Sequence, residues 1–217
     1  MDLQLILQEH LLWLENKGGK RADLSHVDFT GTDMKGMNLS YAVLRGARMS
    51  GKDLRDIDFS FANLTDSDFS HSYLMNINFR NADLSDANMR YVIFKNTYMR
   101  YAILKNTDLH SVDMDGADVI NANLRDVDLS GANLRGVVLK YSNLHNAKLP
   151  IYSNLTFAIQ NDRLIIDRTI KTFEEWKDWF ENSDKEFSIK RGTDEFKRIQ
   201  AMFYAYEAYY KFLNSNQ

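Results

Sequence analysis

Histidine, aspartate and arginine are the residues of this chain that could do chemistry, and their spacing limits what chemistry that could be. The five histidines (His10, His26, His71, His110 and His145) are scattered widely along the sequence. No pair has the short helical offset that sets two imidazoles on one metal ion. The chain has no cysteine, which removes disulfides, thiol nucleophiles and zinc–thiolate sites. Its glycines form no phosphate-binding loop: they recur singly, at Gly31, Gly36, Gly46, Gly51, Gly116, Gly131 and Gly136. Aspartates are abundant, yet 11 of them fill one recurring slot, so no two stand out as a hydrolase's acid–base pair. The reading is a chain without catalytic, cofactor-binding or metal-ligating residues, and not an enzyme.

The elements that carry these residues follow from a period of five. From Leu24 to Leu149 every fifth residue is a large apolar one: 15 Leu, 5 Phe, 5 Met and Val119, so 26 repeats run without an insertion. Two residues before each such centre lies a smaller side chain, with Met37 and Lys52 as exceptions. The slot between them is Asp or Asn in 18 of the 26 repeats. A helix would rotate successive centres by about 140° and smear them around its surface. Two apolar residues two apart instead mark a very short strand with both side chains facing inward. Such a unit buries nothing alone, so the units must wind into coils and stack as parallel strands about 4.8 Å apart.

The pattern Ala-Asp-Leu-x-x resembles the pentapeptide-repeat family. That resemblance implies a mainly β fold, a right-handed quadrilateral parallel β-helix with four repeats per coil. At strand spacing the array makes a rod roughly 30 Å long. The expected organisation is an N-terminal capping helix in 1–21, the β-helix in 22–151, and a C-terminal β-hairpin with helices in 152–217. A solenoid needs covered ends, because open ones polymerise by strand pairing. Residues 3–14 form an amphipathic helix with Leu3, Ile6, Leu7, His10, Leu11 and Leu14 on one stripe, ended by Gly18-Gly19. His10 and Trp13 are read as packing residues. The only proline, Pro150, closes the array. Beyond it, 155–160 and 163–167 suggest strands around an Asn161-Asp162 turn. Thr172 to Glu175 is a capping box opening a helix with Trp176, Trp179 and Phe180. A second helix is expected from about residue 194 to 213. The leucine-rich start and the Glu174-Glu175-Trp176 helix resemble a bacterial and phage subgroup of the family. Trp176, Trp179, Tyr204 and Tyr209 could serve an internal core or a dimer contact, leaving monomer and homodimer both open.

Departures from the repeat are the best guide to function. The polar slot is violated at Val43, Arg48, Tyr73, Ile93, Tyr98, Ile103, Val138 and Lys148. Three violations are consecutive, Ile93, Tyr98 and Ile103, and in that coil the residues following the centres are Arg90, Lys95, Arg100 and Lys105. Residues 87–106 carry four positive charges and no negative one, together with Tyr91, Tyr98 and Tyr101. Comparing positions 20 apart gives an outward column of Tyr41, Phe61, Asn81, Tyr101, Asn121 and Tyr141, with Arg80, Arg100 and Lys140 beside it. Aromatic residues beside arginine mark recognition surfaces.

These residues point to a binding scaffold that occludes a protein partner. Likeness to phage-borne relatives suggests a host defence or DNA-processing enzyme as that partner. The resemblance also implies a second reading, mimicry of DNA toward a topoisomerase such as gyrase. Residues 22–150 hold 16 Asp against 14 Lys and Arg, too mixed to imitate phosphate. A third reading, direct nucleic-acid binding by the central coil, has only four charges to use. The net charge of −3 suggests no bulk attraction to nucleic acid or membrane. No apolar run approaches the roughly 20 residues of a membrane span, and the start lacks a basic leader. A cytoplasmic location is expected.

Overall fold

In the computed structural model, the residues described are 2–134, 137–139, 141–148, 157–160, 163–166, 169–183 and 191–214. The expectations placed on Gly136, Lys140, Leu149, Pro150 and the Asn161-Asp162 turn lie outside them. Parallel bridges join positions one coil apart along the array, from Asp23↔Val43 to Asp128↔Lys148. Each bridge skips three repeats and meets the fourth, so each coil is four-sided. Asp23, Val43 and Asn63 begin the ladder of the first side, and Asp28, Arg48 and Asp68 that of the second. Asp53, Tyr73 and Ile93 lie on the third side, and Asn38, Asp58 and Asn78 on the fourth.

A regular repeat satisfies every backbone donor, and one unit shows how. Ala62 N–H closes the corner onto the Phe59 carbonyl (3.1 Å), and Asn63 N–H donates one coil back to Ala42 (3.0 Å). Leu64 and Asp66 N–H donate one coil forward, to the Asp83 and Ser85 carbonyls at 2.7 and 3.1 Å. The fifth donor, Thr65 N–H, is taken by the side-chain oxygen of Asn63 at 3.1 Å. That last bond explains the Asp/Asn slot: a short carboxylate or amide caps the corner that follows it. The same bond recurs from Ser25 to Asp23, Ser85 to Asp83 and Ser130 to Asp128. Hydrogen bonds from Ser130 lower the Asp128 carboxyl to about 2.

Corners place a second demand on the sequence. In the Phe59–Ala62 turn only the third residue, Phe61, has positive φ (58°), the sign pattern of a type II turn. The equivalent residue is left-handed in every described repeat from His26 to Asn146. Glycine, Asn and Asp suit this conformation, which is why they fill most of these positions.

Inward, the centres and the small residues two before them form one continuous core from Ala22 to Leu144. Phe59 and Phe79 stack across one coil at 5.4 Å, with Phe69 edge-on to both at 6.0 Å. Buried hydroxyls at small positions donate to carbonyls of the preceding coil, as Ser72 does to Met49 and Thr97 to Leu74. The exceptional Lys52 does the same with its ammonium, to Phe29 at 2.9 Å.

Both ends carry added elements. Helix α1 (Leu3–Leu14) is capped by Asp2, and its Leu3, Ile6 and Leu7 pack against the solenoid core. Leu11, expected on the same stripe, is exposed. The inward face near it is completed by His10, the only fully buried residue of the helix. Gly19 lets the chain return beside α1, since a Cβ there would stand 2.2 Å from the Glu9 carbonyl.

At the other end β1 (Phe157–Gln160) and β2 (Arg163–Ile166) pair antiparallel, with Gln160 opposite Arg163. A third strand, β3 (Thr169–Thr172), joins β2 and was not expected from sequence. It is too short to show an alternation. Thr172 and Glu175 form the predicted capping box, and α2 (Phe173–Asn182) and α3 (Asp194–Asn214) follow. Trp176 is buried with Phe173, Phe180, Phe196, Ile199 and Phe203, while Trp179 and Tyr204 pack against that cluster. The described aromatics of this module therefore serve an internal core; the side chain of Tyr209 lies outside the described residues. Ala201 belongs to the solenoid's own buried cluster, which sets α3 against the solenoid.

The corner geometry makes a paired prediction. A Cβ on Gly51 meets nothing within 4 Å, whereas one on Gly46 stands 2.5 Å from His26 Nδ1 one coil earlier. Gly51→Ala should lower stability by about 1 kcal/mol through backbone strain alone, and Gly46→Ala by up to about 1 kcal/mol more, since the exposed His26 ring must turn aside. Chemical denaturation of the two variants side by side checks the difference.

Candidate protein-binding surface

The outward side chains of the central coil are distributed by the four-sided winding. Ile93 lies on the third side, Tyr98 on the fourth and Ile103 on the first, each laddered to its equivalents one coil away. The four cations turn outward one per corner, with Arg90 between the second and third sides and Arg100 between the fourth and first. Lys95 and Lys105 take the remaining two corners. One flat partner cannot touch all four at once.

Three of these cations already have partners. Arg90 reaches Asp108 at 3.3 Å, Lys95 reaches Asp113 at 3.3 Å and Arg100 reaches Asp118 at 2.5 Å. The offset is the same each time, from the position after a centre to the polar slot of the next coil. The same offset from Lys105 leads to Asn123, and Lys105 has no ion pair among the described residues. Exposed pairs of this kind each contribute at most about 1 kcal/mol. Their larger effect is on the field, because the carboxylates of the next coil cancel much of the positive band that residues 87–106 carry.

Two aromatic groups result, at diagonally opposite corners. Between the second and third sides, His71 stacks on Tyr91 at 4.9 Å, and His110 meets the same ring edge-on at 6.0 Å. The Arg90 guanidinium lies 5.8 Å from the Tyr91 ring centre, and Tyr73 and Ile93 are laddered on the adjoining third side. His71 and His110 were not among the binding candidates taken from sequence, and Tyr73 was singled out only as a departure from the polar slot. For His71 the spacing held a signal, since it stands one full coil before Tyr91, whereas His110 is brought in by the winding, its carbonyl accepting the Tyr91 N–H at 3.1 Å.

Between the fourth and first sides lie Tyr98, Tyr101 and Ile103, with relative exposures of 53%, 54% and 39%. Neither tyrosine has a ring partner among the described residues. Arg80, one coil earlier in the same corner column, has Tyr98 at the offset where other cations meet an aspartate. Farther toward the N-terminus, Tyr41 and Phe61 stack face to face at 4.7 Å, and Trp13 of α1 meets Tyr41 edge-on at 6.2 Å. The column thus begins on the capping helix. Asn81 and Asn121 interrupt it before the exposed Tyr141.

These outward groups are not a response to the scaffold's needs. With Ile93, Tyr98 and Ile103 in the polar slot, the N–H groups of Lys95, Arg100 and Lys105 lose the side-chain acceptor that Asp or Asn supplies elsewhere. Tyr41, Phe61, Tyr91, Tyr101 and Tyr141 occupy left-handed corners, with φ between 58° and 62°. Bulky residues in that region are strained by about 1–3 kcal/mol each. Ring stacking offsets some of this for Tyr41, Phe61 and Tyr91. No ring contact among the described residues offsets it for Tyr101.

Among the described residues no three potential ligands gather into a metal site, and no helix is long and apolar enough to cross a membrane. A half-open hollow of about 470 Å³ lies between α1 and the first coil, lined by Leu5, Ile6, Glu9, Lys20, Arg21 and Asp23.

A model of pentapeptide repeats matches the chain in eight copies, over residues 20–56, 53–81, 77–116 and 117–150. No functionally curated protein matches. Similar solved structures include a pentapeptide repeat protein of the Arabidopsis thaliana thylakoid lumen, 29% identical, covering 48% of this chain and 70% of that one with a TM-score of 0.32. Full-length QnrB1, a plasmid-mediated fluoroquinolone resistance protein, is 16% identical over 61% of this chain and 86% of its own, with a TM-score of 0.31. HetL of Nostoc sp. strain PCC 7120, involved in heterocyst differentiation regulation, is 22% identical over 69% and 91%, with a TM-score of 0.19. The matched repeats span more than half of the sequence and coincide with the laddered coils: the chain belongs to the pentapeptide-repeat family.

Proposed function

We propose that the protein is a non-catalytic scaffold that captures a protein partner on the outside of its solenoid and acts by occlusion. The observation that carries this reading is the run Ile93, Tyr98 and Ile103. Each gives up a corner-capping hydrogen bond, worth about 1 kcal/mol, to present an apolar side chain outward. Recognition centres on Tyr98, Tyr101 and Ile103, with Arg80, Arg100 and Lys105 at the edge. The Tyr41–Phe61 column and the Tyr91 group with Ile93 and Lys95 extend the surface around the rod. Aromatic and arginine side chains dominate binding energy at protein interfaces, while paired rim charges add little. The partner class we favour is a defence or DNA-processing enzyme, on the resemblance of the chain's two ends to phage-borne members of the family.

The charge arrangement argues against both electrostatic alternatives. A phosphate-binding surface needs cations free to replace counterions, and Arg90, Lys95 and Arg100 are already paired. A DNA mimic needs free carboxylates in long rows. Here many aspartates hold corner N–H groups or lie beside cations, as Asp53 does against Arg55, which pulls its carboxyl to about 2.

Two experiments test these statements. Tyr101→Asn places at the corner the residue its own column uses at Asn81 and Asn121. Stability should hold or rise by up to about 1 kcal/mol, while capture of partner from host lysate falls at least about tenfold. Undiminished capture would remove Tyr101 from the interface. Replacing Asp108, Asp113 and Asp118 together by Asn preserves the corner bonds, since Asn serves that slot in other repeats, and frees three cations. The variant should elute from heparin at clearly higher salt than the parent. Equal elution would mean that the ion pairs do not control the surface field.

A further inference from the structure

We infer that α1 is a proton-sensitive latch on the first coil, closed by neutral His10 and opened by its protonation. The argument begins with a donor the first coil cannot satisfy. In later repeats the small inward residue donates its N–H to the centre carbonyl of the preceding repeat, as Val27 does to Leu24 and Ala42 to Leu39. For Ala22 that position is Gly19, in the segment leaving α1, and no coil precedes it. His10 Nδ1 accepts the Ala22 N–H instead, at 3.2 Å. A side-chain nitrogen thus stands where a missing repeat would have put a carbonyl oxygen.

This contact fixes the state of the ring. To accept at Nδ1 the imidazole must be neutral, with its proton on Nε2. His10 is fully buried, and Nε2 has no hydrogen-bond partner there. Protonation would set an Nδ1–H against the Ala22 N–H, donor against donor, and place a charge inside the joint between α1 and the coil. Burial is the largest influence holding His10 below its ordinary value of 6.5. The Ser40 carbonyl opposes it and the Arg21 guanidinium reinforces it. The other charged groups at this joint, Glu9, Lys20 and Asp23, line the hollow beside it. A group depressed in the folded state stabilises docking above its unfolded value, and that contribution is lost as pH falls below 6.5 and through the folded value.

Opening has a defined consequence. His10 stacks on Trp13 at 5.8 Å, and Trp13 rests on Tyr41, so undocking α1 also removes Trp13 from the outward aromatic column. It uncovers the Leu3, Ile6 and Leu7 contacts and leaves the first coil as a bare parallel edge.

NMR on the full-length protein tests the latch. At about pH 8 the His10 ring nitrogens should report the Nε2–H tautomer, and the Ala22 amide should exchange slowly. Lowering the pH to about 5 should speed Ala22 exchange, corrected for its intrinsic rate, at least about tenfold, with the Trp13 indole shifting at the same midpoint. His10→Asn keeps an acceptor near Nδ1 but cannot titrate, so its protection should persist across the range. His10→Phe keeps a ring without an acceptor and should exchange quickly at both ends. An Nδ1–H tautomer in the parent protein, or the same pH profile in parent and His10→Asn, overturns the proposal. The tautomer measurement decides the matter even if a variant does not fold.

Discussion

Backbone bonding between coils, at a fixed offset of one four-repeat turn, is the constraint on which the other features depend. Each repeat has five N–H groups. In a regular repeat four are met by carbonyls within the corner or in adjacent coils, and the fifth by the Asp or Asn side chain that precedes the corner. The chain cannot insert a residue without moving every later donor off its acceptor and every later apolar side chain off the core. That explains an array without insertions. It also explains why variation is confined to outward positions, the corners within the limits of a positive φ and the polar slot at the loss of its capping bond.

A stack held in this way is complete only in its middle. The first coil has no predecessor, so its donors and apolar face need substitutes from another kind of structure. Helix α1 supplies leucine and isoleucine for the core and an imidazole nitrogen for Ala22. At the other end of the sequence, α3 contributes Ala201 to the solenoid core and devotes its aromatics to a separate cluster with the β1–β3 sheet and α2. Trp176 ties that cluster together by donating its indole N–H to the Leu164 carbonyl at 2.8 Å. Arg191 packs on Trp179 and Phe196 at 4.6 and 5.1 Å.

The same ladder controls the surface. Because the position after a centre faces the polar slot of the next coil, a cation in one coil can pair with an aspartate in that slot, unless a nearer cation takes the carboxylate, as Arg55 takes Asp53 from Lys35. Arg90, Lys95 and Arg100 pair in this way, whereas the same offset leads from Arg80 to Tyr98 and from Lys105 to Asn123, neither of which offers a carboxylate. Uncompensated cations therefore flank the exposed Tyr98, Tyr101 and Ile103, where the slot has abandoned its capping residue. At the opposite corner Arg90 is paired and Tyr91 is covered by two histidines, so its ring has less free surface to offer.

The sequence by itself determined the solenoid, the capping-box start of α2 and the extent of α1, since these depend on local periodicity and on caps close by in the chain. It also marked the coil at 87–106 as exceptional, because departures from a strict repeat are visible in one dimension. It did not show that His71, Tyr91 and His110 form one group, or that the central cations are paired. It also did not show that β3 completes a sheet or that His10 replaces a missing carbonyl. Those facts depend on contacts between positions well separated in sequence, whose partners are chosen by winding and by the ends of the stack. A period of five fixes which side chains point inward; only the closed coil decides which outward ones meet.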